Sequence, residues 1–347
     1  MTAIAVVGAG SWGTALAQTL AVAGREVRLW GRDPAVVRQI ADWRRNPAYM
    51  PGLQLHPDIA ATDELSQALR GARVVILAVP THGLRVTAQR CIASLEAESV
   101  VVSAAKGFEA GTGATMSRVL AEVLGTGSEA RVAALSGPNI APEIARGLPA
   151  ATVVASGDPA TAAVVRDCCT GSQLRVYSND DLTGVEYGGA LKNVVAIAAG
   201  IGDGAGAGDN GKAAVITRGL AEMARLGVRA GARPLTFAGL TGLGDCVVTC
   251  MSPHSRNRRL GEAIGHGKTL VEATAGMFMV AEGVNAAAAA RSLAAQYGVE
   301  MPIVNEVCAV LFDGKPVAQA VADLMRRGAR DELDEFGLTP FGGALAP

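Results

Sequence analysis

The sequence has few aromatic side chains, 4% of 347 residues, and few charged ones, 18%, with Lys+Arg 31 against Asp+Glu 32. That leaves no stacking platforms for single-stranded nucleic acid, and a formal charge of -1 leaves no broad basic face for a phosphate backbone, so no nucleic-acid partner is expected. A hydrophobic content of 50% excludes an intrinsically disordered chain. C-x-x-C pairs are lacking: Cys91, Cys168, Cys169, Cys246, Cys250 and Cys308 are scattered, which excludes a disulfide framework and points to a reducing, cytoplasmic location. Long apolar runs are lacking too. The longest, around Val194 to Ile201, is flanked by Lys192 and Asp203 and is far shorter than the roughly 20 residues a bilayer requires, so no membrane span is expected. Met1-Thr2-Ala3 leads directly into strand-like Ile4-Ala5-Val6-Val7, so no secretory leader is expected either.

What is abundant is glycine, 43 residues, in a chain long enough for about two domains. The first half alternates β-branched runs (Ile4–Val7, Glu26–Trp30, Arg73–Val79, Ser99–Ser103, Arg131–Ser136, Ala151–Ser156 and Leu174–Tyr177) with Ala- and Leu-rich helical spacing, the rhythm of a parallel, helix-covered sheet. After about residue 186 strand signals stop. Helical patterns follow at Val185–Ile201, Lys212–Leu226, Asn257–Gly265, Leu270–Ala275, Asn285–Tyr297, Pro302–Leu311 and Pro316–Arg327. The expected organisation is an α/β domain over 1–186, an all-α domain over 187–335 and a peripheral tail over 336–347. The Gly/Ala-rich run from Gly200 to Gly211 reads as a loop between helices.

Gly8-Ala9-Gly10-Ser11-Trp12-Gly13 follows the first strand and opens a helix, the context in which a G-x-G-x-x-G pattern binds a dinucleotide. Gly8 permits the tight turn, Gly10 the approach of a pyrophosphate and Gly13 close packing of helix on strand. An NAD-selective site ends its second strand in an acid; here the chain reads Trp30-Gly31-Arg32-Asp33. Arg32 suits a 2′-phosphate, so the local chemistry leans to NADP over NAD, while Asp33 either serves the ribose or caps the helix after Pro34.

Lys192 lies in Tyr187-Gly188-Gly189-Ala190-Leu191-Lys192-Asn193-Val194, where nearly every neighbour is small or apolar. Buried, its ammonium is a candidate general acid or base; taken alone, such a lysine more often snorkels to water. Gly188 and Gly189 open this face to a ligand or to close helix packing. Ser255-Arg256-Asn257-Arg258-Arg259 presents hydroxyl, guanidinium and amide groups at a helix start, suited to a phosphate dianion or equally to a cap followed by a solvated basic face. Cys246, Cys250 and His254 share helical spacing, but Ser252-Pro253 interrupts it, so no metal site is expected. None of His56, His82, His254 and His266 lies in a hydrolase motif.

Gly8 to Ala15, Ala104-Ala105-Lys106-Gly107-Phe108-Glu109, Ser136-Gly137-Pro138-Asn139-Ile140-Ala141, Glu186 to Asn193, Ile216-Thr217-Arg218-Gly219, Gly239 to Asp245 and Ser255-Arg256-Asn257 recur in an order that resembles the bacterial NAD(P)-dependent glycerol-3-phosphate dehydrogenases. The resemblance runs from residue 4 to about 332. It implies a Rossmann-like doubly wound sheet and a helical domain like the C-terminal one of 6-phosphogluconate dehydrogenase, in a cytoplasmic homodimer that interconverts dihydroxyacetone phosphate and sn-glycerol 3-phosphate for phospholipid synthesis. By similarity the cofactor positions are Ser11, Trp12, Arg32, Lys106, Ala141, Arg256, Val280 and Glu282, beside the fingerprint glycines. The substrate positions are Lys106, Gly137, Asn139, Lys192, Asp245, Ser255, Arg256 and Asn257, with Lys192 the proton donor and acceptor and Asp245 orienting it or the substrate hydroxyls. Gly211 with the Gly/Ala alternation before it, and the tail beyond Glu335, depart from the family pattern. Rival readings are a hydroxy-acid or ketopantoate reductase of the same architecture and a non-catalytic NADP-sensing module.

Overall fold

A computed structural model describes residues 3–277 and 281–328. Val280 and the 336–347 tail lie outside the described residues. The chain divides into two compact units between Glu186 and Tyr187.

The first unit is built on eight strands, β1 (Ala3–Val7), β2 (Glu26–Trp30), β3 (Ile59–Thr62), β4 (Ala72–Leu77), β5 (Val100–Ser103), β6 (Val132–Ser136), β7 (Ala150–Ala155) and β8 (Leu174–Asn179). They form one sheet in the order β3-β2-β1-β4-β5-β6-β7-β8. Its helices are α1 (Ser11–Val22), α2 (Pro34–Trp43), α3 (Leu65–Leu69), α4 (Thr81–Cys91), α5 (Met116–Leu124), α6 (Ala141–Ala145) and α7 (Pro159–Cys169). Alternate residues of one strand enter different buried clusters: Ile4 and Val6 pack with Val27 and Ile76, Ala5 and Val7 with Val75 and Leu77. Apolar side chains on both faces are why these strands read as continuous hydrophobic runs. The sheet is the helix-covered one the rhythm predicts and the doubly wound, Rossmann-like one the resemblance implies, with two differences from a wholly parallel sheet of the seven predicted strands. Strand β3 escapes the reading because it is four residues, Ile-Ala-Ala-Thr, at the sheet edge. Strand β7 runs antiparallel to β6, because the chain returns through the five-residue α6 and not through a full crossover helix.

Helix α8 (Leu182–Gly204) starts at the end of this unit and continues into the second. There follow α9 (Gly208–Arg229), α10 (Pro234–Ala238), a π-turn at Leu240–Gly244, α11 (Asp245–Met251), α12 (Arg256–Gly265), α13 (Leu270–Thr274), α14 (Glu282–Tyr297), α15 (Pro302–Phe312) and α16 (Val317–Met325). The expected Gly200–Gly211 loop is mostly helix; only 205–207 connect α8 to α9. The reason is tertiary. A Cβ at Gly200 would collide with the Arg258 carbonyl and one at Gly204 with that of Glu262, while one at Gly261 or Gly265 would strike the carbonyl of Ile197 or Ile201. Helices α8 and α12 thus lie backbone against backbone, and this packing overrides the poor helix propensity of glycine. Replacing Gly261 by Val is expected to destabilise the helical unit by about 3 kcal/mol or more, read from the midpoint of denaturant unfolding.

Candidate functional site

In the first unit the glycine fingerprint closes on itself. Gly8 leaves β1 at φ +123, and a Cβ there would lie 2.6 Å from the Ala78 carbonyl oxygen; one at Gly13 would fall on the Gly8 carbonyl. Gly10, the residue capping α1, meets nothing within 4 Å where a side chain would stand. Among the described residues no side chain caps the first turn of this 12-residue helix, which leaves its amide groups available to an anion. A dinucleotide pyrophosphate is such an anion. Ser11 Oγ donates to the Tyr49 carbonyl at 2.9 Å, and Trp12 packs against Met50, Ala15 and Ala145 with its Nε1 buried and without a partner among the described residues. At the end of β2 the Asp33 carboxylate accepts the Ala35 amide at 2.8 Å, capping α2. Of the two uses open to Asp33, the structure realises the cap, and Arg32 is left exposed at the strand end.

Beyond the C-terminal ends of β5 and β6, Lys106 Nζ donates to the Gly137 carbonyl at 2.6 Å. Gly137 takes φ +139, which seats its neighbours beside Thr152. Asn139 Nδ2 donates to Thr152 Oγ1 at 3.1 Å, while its Oδ1 is buried with no partner among the described residues. Ala141 is the first residue of α6.

In the second unit Lys192 does not snorkel. Its side chain is 8% exposed, and Nζ donates to Asp245 Oδ1 at 3.0 Å and to Thr249 Oγ1 at 2.7 Å. Thr249 Oγ1 in turn donates to Asp245 Oδ1 at 3.2 Å. Asp245 and Thr249 stand one turn apart on α11, so one short helix supplies both partners of a buried ammonium. Sequence reasoning missed Thr249, although its i+4 spacing from Asp245 was a usable signal. The Cys246 thiol touches Cys250 at 4.0 Å, and that hydrogen bond, with burial, holds it protonated well above the ordinary range. Helix α11 ends at Met251, before His254, and among the described residues no three metal-ligating side chains converge. Gly188 serves close packing: a Cβ there would lie 2.8 Å from the Thr241 carbonyl oxygen.

The basic run at α12 separates into distinct roles. Ser255 Oγ accepts the Arg258 amide at 3.2 Å as the helix cap. Arg258 Nη1 pairs with Asp203 at 2.6 Å, where Lys212 also binds at 2.7 Å, so Arg258 holds α12 to α8. Arg259 is exposed. Arg256 is partly buried; desolvation pulls its pKa below the ordinary value, and the Glu282 carboxylate opposes that shift. Asn257 is more committed than a surface phosphate ligand: Nδ2 donates to Asn193 Oδ1 at 2.8 Å and Oδ1 accepts the Gly283 amide at 3.0 Å, joining α8, α12 and α14. Asn257→Ala removes both of these buried hydrogen bonds and is expected to cost about 2 kcal/mol of stability; because Asn193→Ala removes one of the same bonds, the double variant should cost about 1 kcal/mol less than the sum of the two single ones, a non-additivity read by a double-mutant cycle in urea.

Two family models match the chain: the NAD-dependent glycerol-3-phosphate dehydrogenase N-terminus over residues 3–162 and the C-terminus of the same family over residues 181–322. The glycerol-3-phosphate dehydrogenase [NAD(P)+] of Moorella thermoacetica is 49% identical over 331 residues, covering 95% of this chain and 98% of its own. That of Thermobifida fusca is 48% identical, covering 96% and 99%. The crystal structure of glycerol-3-phosphate dehydrogenase from Coxiella burnetii superposes with a TM-score of 0.88 at 36% identity, covering 94% of this chain and 99% of that one. With both of its units matched, this chain belongs to the NAD-dependent glycerol-3-phosphate dehydrogenase family.

Proposed function

We propose that the protein reduces dihydroxyacetone phosphate to sn-glycerol 3-phosphate, reversibly, with NAD(P)H. The observation that carries the reading is the buried Lys192–Asp245–Thr249 cluster, an ammonium held in place with a proton to give. A nicotinamide cofactor, whose pyrophosphate Gly8, Gly10, Ser11, Trp12 and Gly13 would hold, would supply the hydride for the reduction and take it up in the reverse direction. Lys192 delivers a proton to the carbonyl oxygen as negative charge develops there, and takes the hydroxyl proton in the reverse direction. Asp245 and Thr249 fix the ammonium and keep it from turning toward water.

The phosphate dianion is assigned to the start of α12, where first-turn amides, the Ser255 hydroxyl and the Arg256 guanidinium provide donors and a favourable helix dipole. Asn257 contributes from the same turn while bracing it. In the first unit, the pyrophosphate is assigned to Gly8, Gly10, Ser11, Trp12 and Gly13, and a 2′-phosphate to Arg32. Lys106, Gly137 and Asn139 are assigned to the substrate in this reading, which is supported by Asn139 Oδ1, a buried acceptor with no partner among the described residues. Ala141 and Glu282 complete the cofactor contacts. A cytoplasmic setting is supported by six free cysteines, and no helix among the described residues is long and apolar enough to cross a membrane. A homodimer is supported by exposed Leu235, Val247 and Met251 on α10 and α11.

The test is loss of reduced-nicotinamide absorbance with dihydroxyacetone phosphate, against a non-phosphorylated keto acid as control. Turnover is expected only with the phosphorylated ketone; turnover of the keto acid instead would move the assignment to a related reductase. Lys192→Ala should lower kcat by roughly a thousandfold or more with NADPH binding retained, and near-normal turnover would remove the mechanism. Wild-type protein should favour NADPH over NADH, and Arg32→Ala should cut that preference roughly tenfold by raising KM for NADPH alone.

A further inference from the structure

Asn46 belongs to no part of the nucleotide fingerprint, yet the fingerprint leans on it. It is 0% exposed, and its Nδ2 donates at 2.9 Å to the Ala9 carbonyl and at 2.9 Å to Thr14 Oγ1. Ala9 sits between Gly8 and Gly10, inside the turn, and Thr14 is in the first turn of α1. We propose that Asn46 is a positioning residue for the dinucleotide: by holding the Ala9 carbonyl in the interior it aims the Gly10 amide outward at the pyrophosphate. This rests on the cofactor reading above.

In a trans peptide the carbonyl and the next N–H point in opposite directions, so fixing one fixes the other. Glycine at position 10 makes this peptide unit easy to rotate, and a buried carbonyl left with only the longer 3.4 Å bond from Thr14 Oγ1 would gain by turning toward water, carrying the Gly10 amide inward. Asn46 removes that incentive. Its own place is determined from several directions. Arg44 ends α2 in the left-handed region at φ 54, with its guanidinium on the Ile59 carbonyl at 2.8 Å. The Asn46 carbonyl accepts from Met50 at 2.7 Å and from Tyr49 at 3.2 Å. Tyr49 is bound by Ser11 Oγ, and Met50 packs on Ala15 and Ala145. Asn46 Oδ1, in contrast, is buried with no partner among the described residues. An amide kept in the core with its acceptor unpaired is there for its donor.

The experiment titrates NADPH and adenosine 2′-monophosphate, which carries the 2′-phosphate and no pyrophosphate, into wild type, Asn46→Ala, Asn46→Asp and Thr14→Val by calorimetry. Both Asn46 variants are expected to bind NADPH roughly tenfold or more weakly while holding adenosine 2′-monophosphate within about twofold, and Thr14→Val, which removes the longer 3.4 Å bond to the Ala9 carbonyl and keeps the 2.9 Å bond from Asn46, should stay within about threefold for both. Retained binding of the smaller ligand shows that the unit is folded; if the Ala variant does not fold, the near-isosteric Asp variant decides. NADPH affinity unchanged in the Asn46 variants, or a parallel loss of both ligands, overturns the proposal. Wild type that binds neither ligand overturns the cofactor reading and this inference with it, an outcome distinct from a defect confined to the variants.

Discussion

A charged ammonium buried in an apolar helix must find a carboxylate, and the helical unit is organised around that requirement. Taking Lys192 out of water costs several kcal/mol unless the pairing geometry is good. The partner comes from α11, and α11 reaches α8 only because the preceding turn lies directly on the backbone at Gly188. On the other side, α12 is seated by glycine contacts and by Asp203 bridging Lys212 and Arg258. Lys192, Lys212 and Arg258 are each answered by a carboxylate, and these pairs specify one arrangement of helices as much as they stabilise it.

The α/β unit solves a different electrostatic problem. A chain with formal charge -1 can offer an anion oriented backbone amides, concentrated where a helix begins. Backbone recognition demands that the peptide planes be correctly turned, and glycine, which allows the close approach, does not enforce the turn. The enforcement comes from side chains beneath: Asn46 on Ala9, and Ser11 on Tyr49.

The parts of this protein legible in its sequence are those carried by local chemistry. The strand–glycine–helix fingerprint, the buried sheet and the helix opened by Ser255 follow from periodicity and cap residues. Less legible were features that depend on what a segment meets in space. The Gly200–Gly211 run has the composition of a loop and is mostly helix, because the partner that makes its glycines favourable is α12, more than fifty residues on. Lys192 in isolation reads as a snorkelling lysine; only the fold brings Asp245 and Thr249 to it. Arg256, Arg258 and Arg259 look alike in a row, yet one pairs with Asp203, one is exposed and one is partly buried near Glu282. Asn46 gave no signal at all, since a lone asparagine in a connecting segment is ordinary turn chemistry.

The four glycines between α8 and α12 carry a consequence for how this protein changes over generations. Glycine is the smallest residue, so every substitution at Gly200, Gly204, Gly261 or Gly265 is an addition of atoms where there is no room, and no mutation at a partner position can shrink a backbone to compensate. At these four positions the helix pair has no neighbouring viable sequence to drift into, so change in this pair is confined to its other faces.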